Sequence, residues 1–210
     1  MILITRPNHD LATTYLCAFS EEIINFCFKK NVKCVDLKGE KATKKIFDSY
    51  IKKNKPRFIF LNGHGSESEI GGFDNEILIN KYQSDYSRSI IFSRSCQSAN
   101  KLGLLLVNGG LEAFIGYKKN YVVMLLRKRN TTPVLDSIAK LFLEPSNLIA
   151  MSLIKGNSVK EADQKSRRAL IKNLREVLSS KMRDRDDVAA YLFHDLNCQT
   201  IIGNIDAKIN

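Results

Sequence analysis

Five short runs of apolar, β-branched or aromatic residues punctuate the first 116 positions: residues 2–5 (ILIT), 32–37 (VKCVDL), 57–61 (RFIFL), 89–93 (SIIFS) and 112–116 (EAFIG). Such runs read as strands buried on both faces, which happens in a parallel sheet covered by helices. The segments between them have helical periodicity. In residues 11–30, Leu16, Phe19, Ile23, Ile24 and Phe28 recur at three- and four-residue steps. Residues 42–53 place Ile46, Phe47, Tyr50 and Ile51 on one side, and Pro56 follows. Residues 98–108 form a third helix, stopped by Gly109 and Gly110. The order β-α-β-α-β, an insertion, then β-α-β predicts an α/β fold with a doubly wound, mostly parallel sheet.

The remainder is mainly helical. Helices are expected over residues 133–143, 147–154 and 158–179, the last opened by a capping box of Ser158 and Glu161. Residues 188–193 fit a strand or a helix. No linker rich in Pro, Gly or Ser interrupts the chain, so residues 1–210 are expected to be one domain.

Composition excludes some classes. With 44% apolar and 26% charged residues the chain suits a globular core. No stretch holds the roughly 18 unbroken apolar residues of a membrane helix, and the N-terminus lacks the pattern of a signal peptide. Cys17, Cys27, Cys34, Cys96 and Cys198 are scattered without C-x-x-C or zinc-ligand spacing. Reduced thiols, a cytoplasmic location, no metal and no cofactor are therefore expected. The net charge of +11 is +4 through Tyr117 and +7 beyond it. It reads as a Lys-rich solvated surface, because no dense basic run carries interleaved aromatics; nucleic acid is expected only as a weak or indirect partner.

In doubly wound sheets, chemistry sits at the carboxyl ends of strands. The third strand runs into Asn62-Gly63-His64-Gly65-Ser66, and the fourth into Arg94-Ser95-Cys96-Gln97-Ser98. Parallel neighbours would bring His64 and Cys96 to one rim, one or two strand spacings apart. That is a thiol nucleophile with an imidazole acid/base. Glycines flank His64 and admit substrate. Cys96 is expected at a helix start, where the dipole lowers a thiol pKa, and the N–H groups of Gly65 and Cys96 are the candidate oxyanion donors. Asn62 is a candidate brace for the histidine loop. No third charged group is evident, so the expected arrangement is a dyad. His9 and His194 read as surface or structural residues. Gly63-His64-Gly65 is not followed by the Gly-Lys-Ser/Thr of a phosphate loop.

An apolar strand ending in His-Gly, followed by an apolar strand ending in a short polar segment and Cys, resembles the caspase-like cysteine peptidases. The His-to-Cys spacing is 32 residues and the motif is R-S-C-Q-S, against about 50 residues and Q-A-C-x-G in caspases proper. The chain looks more like the CHAT and gingipain branch. Residues 110–116 resemble that branch's next strand, 158–162 its helix start and 189–195 its closing segment, with His194 where the family often has glycine. The resemblance implies a caspase-like α/β/α sandwich with a helical C-terminal half. It also implies a cysteine endopeptidase acting on a protein substrate through a thioester. Microbial defence or cell death is the role often found in that branch. The residue two before the cysteine, here Arg94, helps line the P1 pocket in this group, and caspases place a pocket arginine after the first strand, here Arg6. Together they imply cleavage after an acidic residue; Glu67, Glu69 and Asp74 leave open a pocket for Lys or Arg. The chain opens on its first strand, so regulation in trans by a partner or by dimerisation is expected. Residues 118–130 are an activation or self-cleavage segment, or simply a mobile loop. Two other readings stand beside this one. The first is a catalytically degenerate module binding an acidic protein or nucleic acid, and the second is a small-molecule acyl hydrolase on the same dyad.

Overall fold

The structure, a computed structural model, describes residues 1–209. The elements in chain order are β1 (Ile2–Arg6), α1 (Leu11–Lys29), β2 (Cys34–Lys38), α2 (Lys44–Asn54), β3 (Phe58–Asn62), β4 (Ile70–Gly71), β5 (Ile77–Ile79), β6 (Ile90–Arg94), α3 (Lys101–Gly109), β7 (Ala113–Tyr117), α4 (Ser137–Ile154), α5 (Val159–Leu178), α6 (Arg185–Cys198) and β8 (Gln199–Gly203). Six strands form one sheet in the order β2-β1-β3-β6-β7-β8; all are parallel except β8, which runs antiparallel to β7. β4 and β5 make a small hairpin in the insertion after β3.

Alternation along the strands builds two cores. Phe58, Phe60, Ile90 and Phe92 face α1, α4 and α5, with the rings of Phe60 and Phe92 stacked 4.9 Å apart. Ile59, Leu61, Ile91 and Phe114 face α2, α3 and the hairpin. A third cluster joins α4, α5 and α6 to residues 123–126. The result is the α/β/α sandwich expected, with its β1–β3 and β3–β6 junctions at the middle of the sheet.

Two elements differ from expectation, and one open choice is resolved. The two helices foreseen over 133–143 and 147–154 are one, α4, which runs through Pro145. Proline removes the N–H that would bond the carbonyl four residues earlier; the Asn173 side chain of α5 donates to that Leu141 carbonyl at 2.8 Å instead. Residues 188–193 belong to α6, where buried Val188, Ala189, Leu192 and Asp195 follow helical spacing. β8 lies in a stretch with no strand expectation; it is short, half-buried and at the sheet edge. By length and composition α4 also suffices to cross a membrane, yet 67% of it is buried within the protein, against α1 and α5.

Asn173→Leu keeps much of the side-chain volume but leaves the Leu141 carbonyl without its donor. The expected loss is about 1–2 kcal/mol in urea unfolding. An unchanged midpoint would mean that water serves that carbonyl equally well.

Candidate active site

The spacing between His64 and Cys96 is the register of two strands. β3 and β6 are adjacent and pair Asn62 with Arg94. Two residues beyond that pair, His64 and Cys96 leave neighbouring strand ends about 4.8 Å apart in the hydrogen-bonding direction. Both line a single cavity of about 360 Å³ with Gly63, Arg94, Ala12, Leu16 and residues 120–123. The two loops touch closely. A Cβ on Gly65 would lie 2.6 Å from Cβ of Ser95 and 3.1 Å from the Cys96 carbonyl oxygen. At Gly63, φ is +151° and a Cβ would meet the Gly71 carbonyl at 2.3 Å. Both positions therefore require glycine.

His64 has the charged partner that the sequence did not reveal. Its Nε2 contacts Oδ2 of Asp10, the N-cap of α1. The other oxygen, Oδ1, accepts from the Thr13 backbone N–H at 2.8 Å and from its hydroxyl. Partial burial opposes ionisation of Asp10, but the Thr13 N–H and the contact with His64 hold its pKa down to about 2. The carboxylate thus stays charged across the physiological range. By the sign of that shift, the contact stabilises the fold above the ordinary carboxylate pKa and is lost as pH falls towards 2. Asp10 is reachable because β1 lies next to β3. The available sequence signal was the capping pair Asp10 and Thr13 at the end of the first strand.

Cys96 sits in a turn, and α3 starts only at Lys101, so a helix dipole does not act on the thiol. Burial instead pushes its pKa up, and the charge of Asp195 adds to the shift. The sulfur lies 3.8 Å from the Tyr121 carbonyl. Among the described residues, neither the Gly65 nor the Cys96 backbone N–H has a hydrogen-bond acceptor; the Gly65–Ile70 bridge is bonded through its flanking residues, His64 with Gly71 and Ser66 with Glu69.

The two arginines expected in a P1 pocket are committed to the interior. Arg94 is 1% exposed and makes five hydrogen bonds, one for each N–H: to Asn62 Oδ1, Ser146 Oγ, Asn147 Oδ1, the Leu16 carbonyl and Ser20 Oγ. Its guanidinium also lies 4.8 Å over the Phe60 ring. Asn62, expected to brace the histidine loop, uses its side chain instead to hold Arg94 and the Thr5 carbonyl. Arg6 is bound by Asp36, Glu21 and the Cys17 carbonyl and is not among the cavity residues. Glu67 pairs with Lys101 at 2.6 Å, and among the described residues no carboxylate lines the cavity. Residues 121–126 are packed rather than loose, while Lys118, Lys119 and Asn120 are exposed. The Tyr121 ring lies tilted against Tyr117 with centroids 4.4 Å apart, Val122 N–H donates to Asp195, and Leu126 N–H donates to Asp136. Although the cysteines show no metal spacing, His9, Asp10 and His64 bring three possible ligand atoms within 4.8 Å of one another.

No family model matches the sequence, and no curated protein is detectably similar to it. Among solved structures, the chain is similar to the crystal structure of the Arg-specific cysteine proteinase gingipain R (RGPB). The TM-score is 0.60 at 14% identity, over 99% of this chain. The chain spans 46% of the length of that proteinase. The fold is thus the caspase-like one, a mostly parallel six-stranded sheet flanked by helices.

Arg94→Lys supplies three donors where five acceptors wait. It is expected to cost roughly 2–4 kcal/mol in thermal or urea unfolding. If Arg94 instead serves substrate, stability will hold and only turnover of acidic P1 peptides will fall.

Proposed function

We propose that the chain is a cysteine endopeptidase. The observation that carries the reading is the placing of His64 and Cys96 in register at adjacent strand ends, on one cavity, with Asp10 against His64. Cys96 is the nucleophile. Asp10 takes Nε2 of His64 and leaves Nδ1 to exchange protons at the reacting centre. The thiol proton passes to His64 as the sulfur bonds the scissile carbonyl. The oxyanion is received by the open N–H groups of Gly65 and Cys96. Collapse returns the proton from His64 to the leaving amine, and a thioester remains. Water, deprotonated by His64, then releases the acid and regenerates the thiol.

The cavity also bears on specificity. Ala12, Leu16, Val122, Val123 and Leu125 give it apolar walls. It contains no carboxylate to pair a P1 Arg or Lys, and Arg94 has no N–H left for a P1 Asp. An uncharged apolar P1 residue fits best, in place of the acidic one expected from the motif. The raised thiol pKa fits an enzyme at rest until a partner or a second copy acts on the segment 118–126 that packs beside Cys96.

Peptide acyloxymethyl ketones with Leu, Asp or Arg at P1 test the whole scheme by adduct mass. Labelling is expected at Cys96, fastest with Leu, absent in Cys96→Ala and strongly slowed in His64→Ala. Asp10→Asn should keep the helix cap, since Asn caps as well as Asp, yet slow labelling by about 10–1000-fold because His64 loses its orienter. An adduct elsewhere, or equal rates in all variants, would sink the assignment.

The pH profile provides a separate check. With iodoacetamide, the Cys96 rate should keep climbing with pH beyond the ordinary thiol value of about 8.5, because burial favours the neutral form. A rate already level at pH 6 would show a preformed thiolate–imidazolium pair.

A further inference from the structure

His9 is a largely covered imidazole that the peptidase scheme does not use. Its side chain is 10% exposed, and among the described residues neither ring nitrogen has a hydrogen-bond partner, nor does either reach solvent. Buried polar groups are nearly always paired, so an unpaired imidazole points to a missing partner. The ring is held edge-on to Phe73 at 5.6 Å and to His64 at 6.0 Å. Its Nε2 lies 3.8 Å from Oδ2 of Asp10, the same oxygen that faces His64. Oδ1 is occupied by Thr13, which leaves Oδ2, the oxygen set against His64, as the ligand atom of that carboxylate.

We propose that His9, Asp10 and His64 form a site for one divalent transition-metal cation of the zinc class, whose binding withdraws His64 from Cys96. Two imidazoles and one carboxylate are a donor set such ions accept, with a fourth position open to water. The ligand atoms lie within 4.8 Å of one another. Metal–nitrogen bonds of about 2.0–2.1 Å bring tetrahedral ligands to roughly 3.3 Å apart, so a small turn of the His9 ring closes the set. The cation and the peptidase reaction compete for the same histidine, so occupancy is an off state. This regulatory part rests on the proposed peptidase reading, whereas the binding itself does not.

The experiment titrates chelator-treated protein with Co²⁺ and displaces it with Zn²⁺, using wild type, His9→Ala and His9→Phe. His9→Phe keeps a ring against Phe73 while removing both nitrogens, and melting curves identify which variants are folded. Wild type is expected to show one saturable set of cobalt ligand-field bands without thiolate charge transfer, displaced by one equivalent of Zn²⁺. The folded His9 variants should bind about tenfold more weakly or worse. Zn²⁺ should slow labelling of Cys96 in wild type and spare it in His9→Phe. Three results would overturn the proposal: no saturable bands in wild type, unchanged affinity in folded His9→Phe, or strong thiolate-to-cobalt charge transfer. The last would place the ion at Cys96 or at the Cys198–His194 pair, whose atoms lie 3.5 Å apart. If Cys96 resists all labelling, the peptidase reading fails, and the cobalt bands still decide the metal site.

Discussion

Arg94 ends β6 with a guanidinium buried away from any carboxylate, and its five hydrogen bonds reach β3, α1 and α4. Burial disfavours its charge, and only a complete set of acceptors makes the position tolerable. The set is complete only when Asn62, Leu16, Ser20, Ser146 and Asn147 are all in place. The requirement therefore fixes the ends of two strands and two helices at one point. That point lies two residues before His64 on one strand and two before Cys96 on the other. A side chain with no direct part in the proposed chemistry thus sets the separation of the two that carry it.

The same hub positions the third member. Arg94 holds the Leu16 carbonyl and Ser20, which fixes the second and third turns of α1. Asp10 caps that helix, so its carboxylate arrives at His64 already oriented. A buried carboxylate, Asp136, extends the arrangement to the cavity wall. It accepts from Tyr15 of α1, from the Ile138 and Ala139 N–H groups of α4 and from the Leu126 N–H. Segment 118–126 is thereby tied to both helices. What reads in sequence as a loop with basic flanks is in the fold one side of the candidate substrate pocket.

What the sequence discloses and what it withholds follow from the range of the interactions. Strands such as RFIFL and SIIFS announce themselves by local composition. Because β3 and β6 are neighbours in register, the positions of His64 and Cys96 at matching ends are legible too. Asp10 is not, since its role depends on β1 lying beside β3, and strand order is not written in any local pattern. Arg94 misleads for a related reason. Beside a cysteine it looks like a ligand for substrate, whereas its acceptors lie 32 to 78 residues away in sequence. Pro145 misleads likewise: it breaks a helix on local grounds, and the amide that rescues the freed carbonyl comes from α5.

The electrostatics of the site then constrain how the proposed reaction starts. A thiol at a helix N-terminus can rest as thiolate, but Cys96 lies in a buried turn ahead of α3, and its proton is held more tightly than usual. Asp10, by contrast, is fully ionised and lies against His64. The driving force for proton transfer from sulfur thus comes from the Asp10 end of the chain of groups, through stabilisation of the imidazolium that forms. Everything that occupies Oδ2 of Asp10 removes that force at its source. A cation seated between Asp10, His9 and His64 would do so and also take the imidazole itself. Orienting the base and binding the metal are mutually exclusive uses of one oxygen atom, which is why such a site would act as a switch and not as a structural ornament.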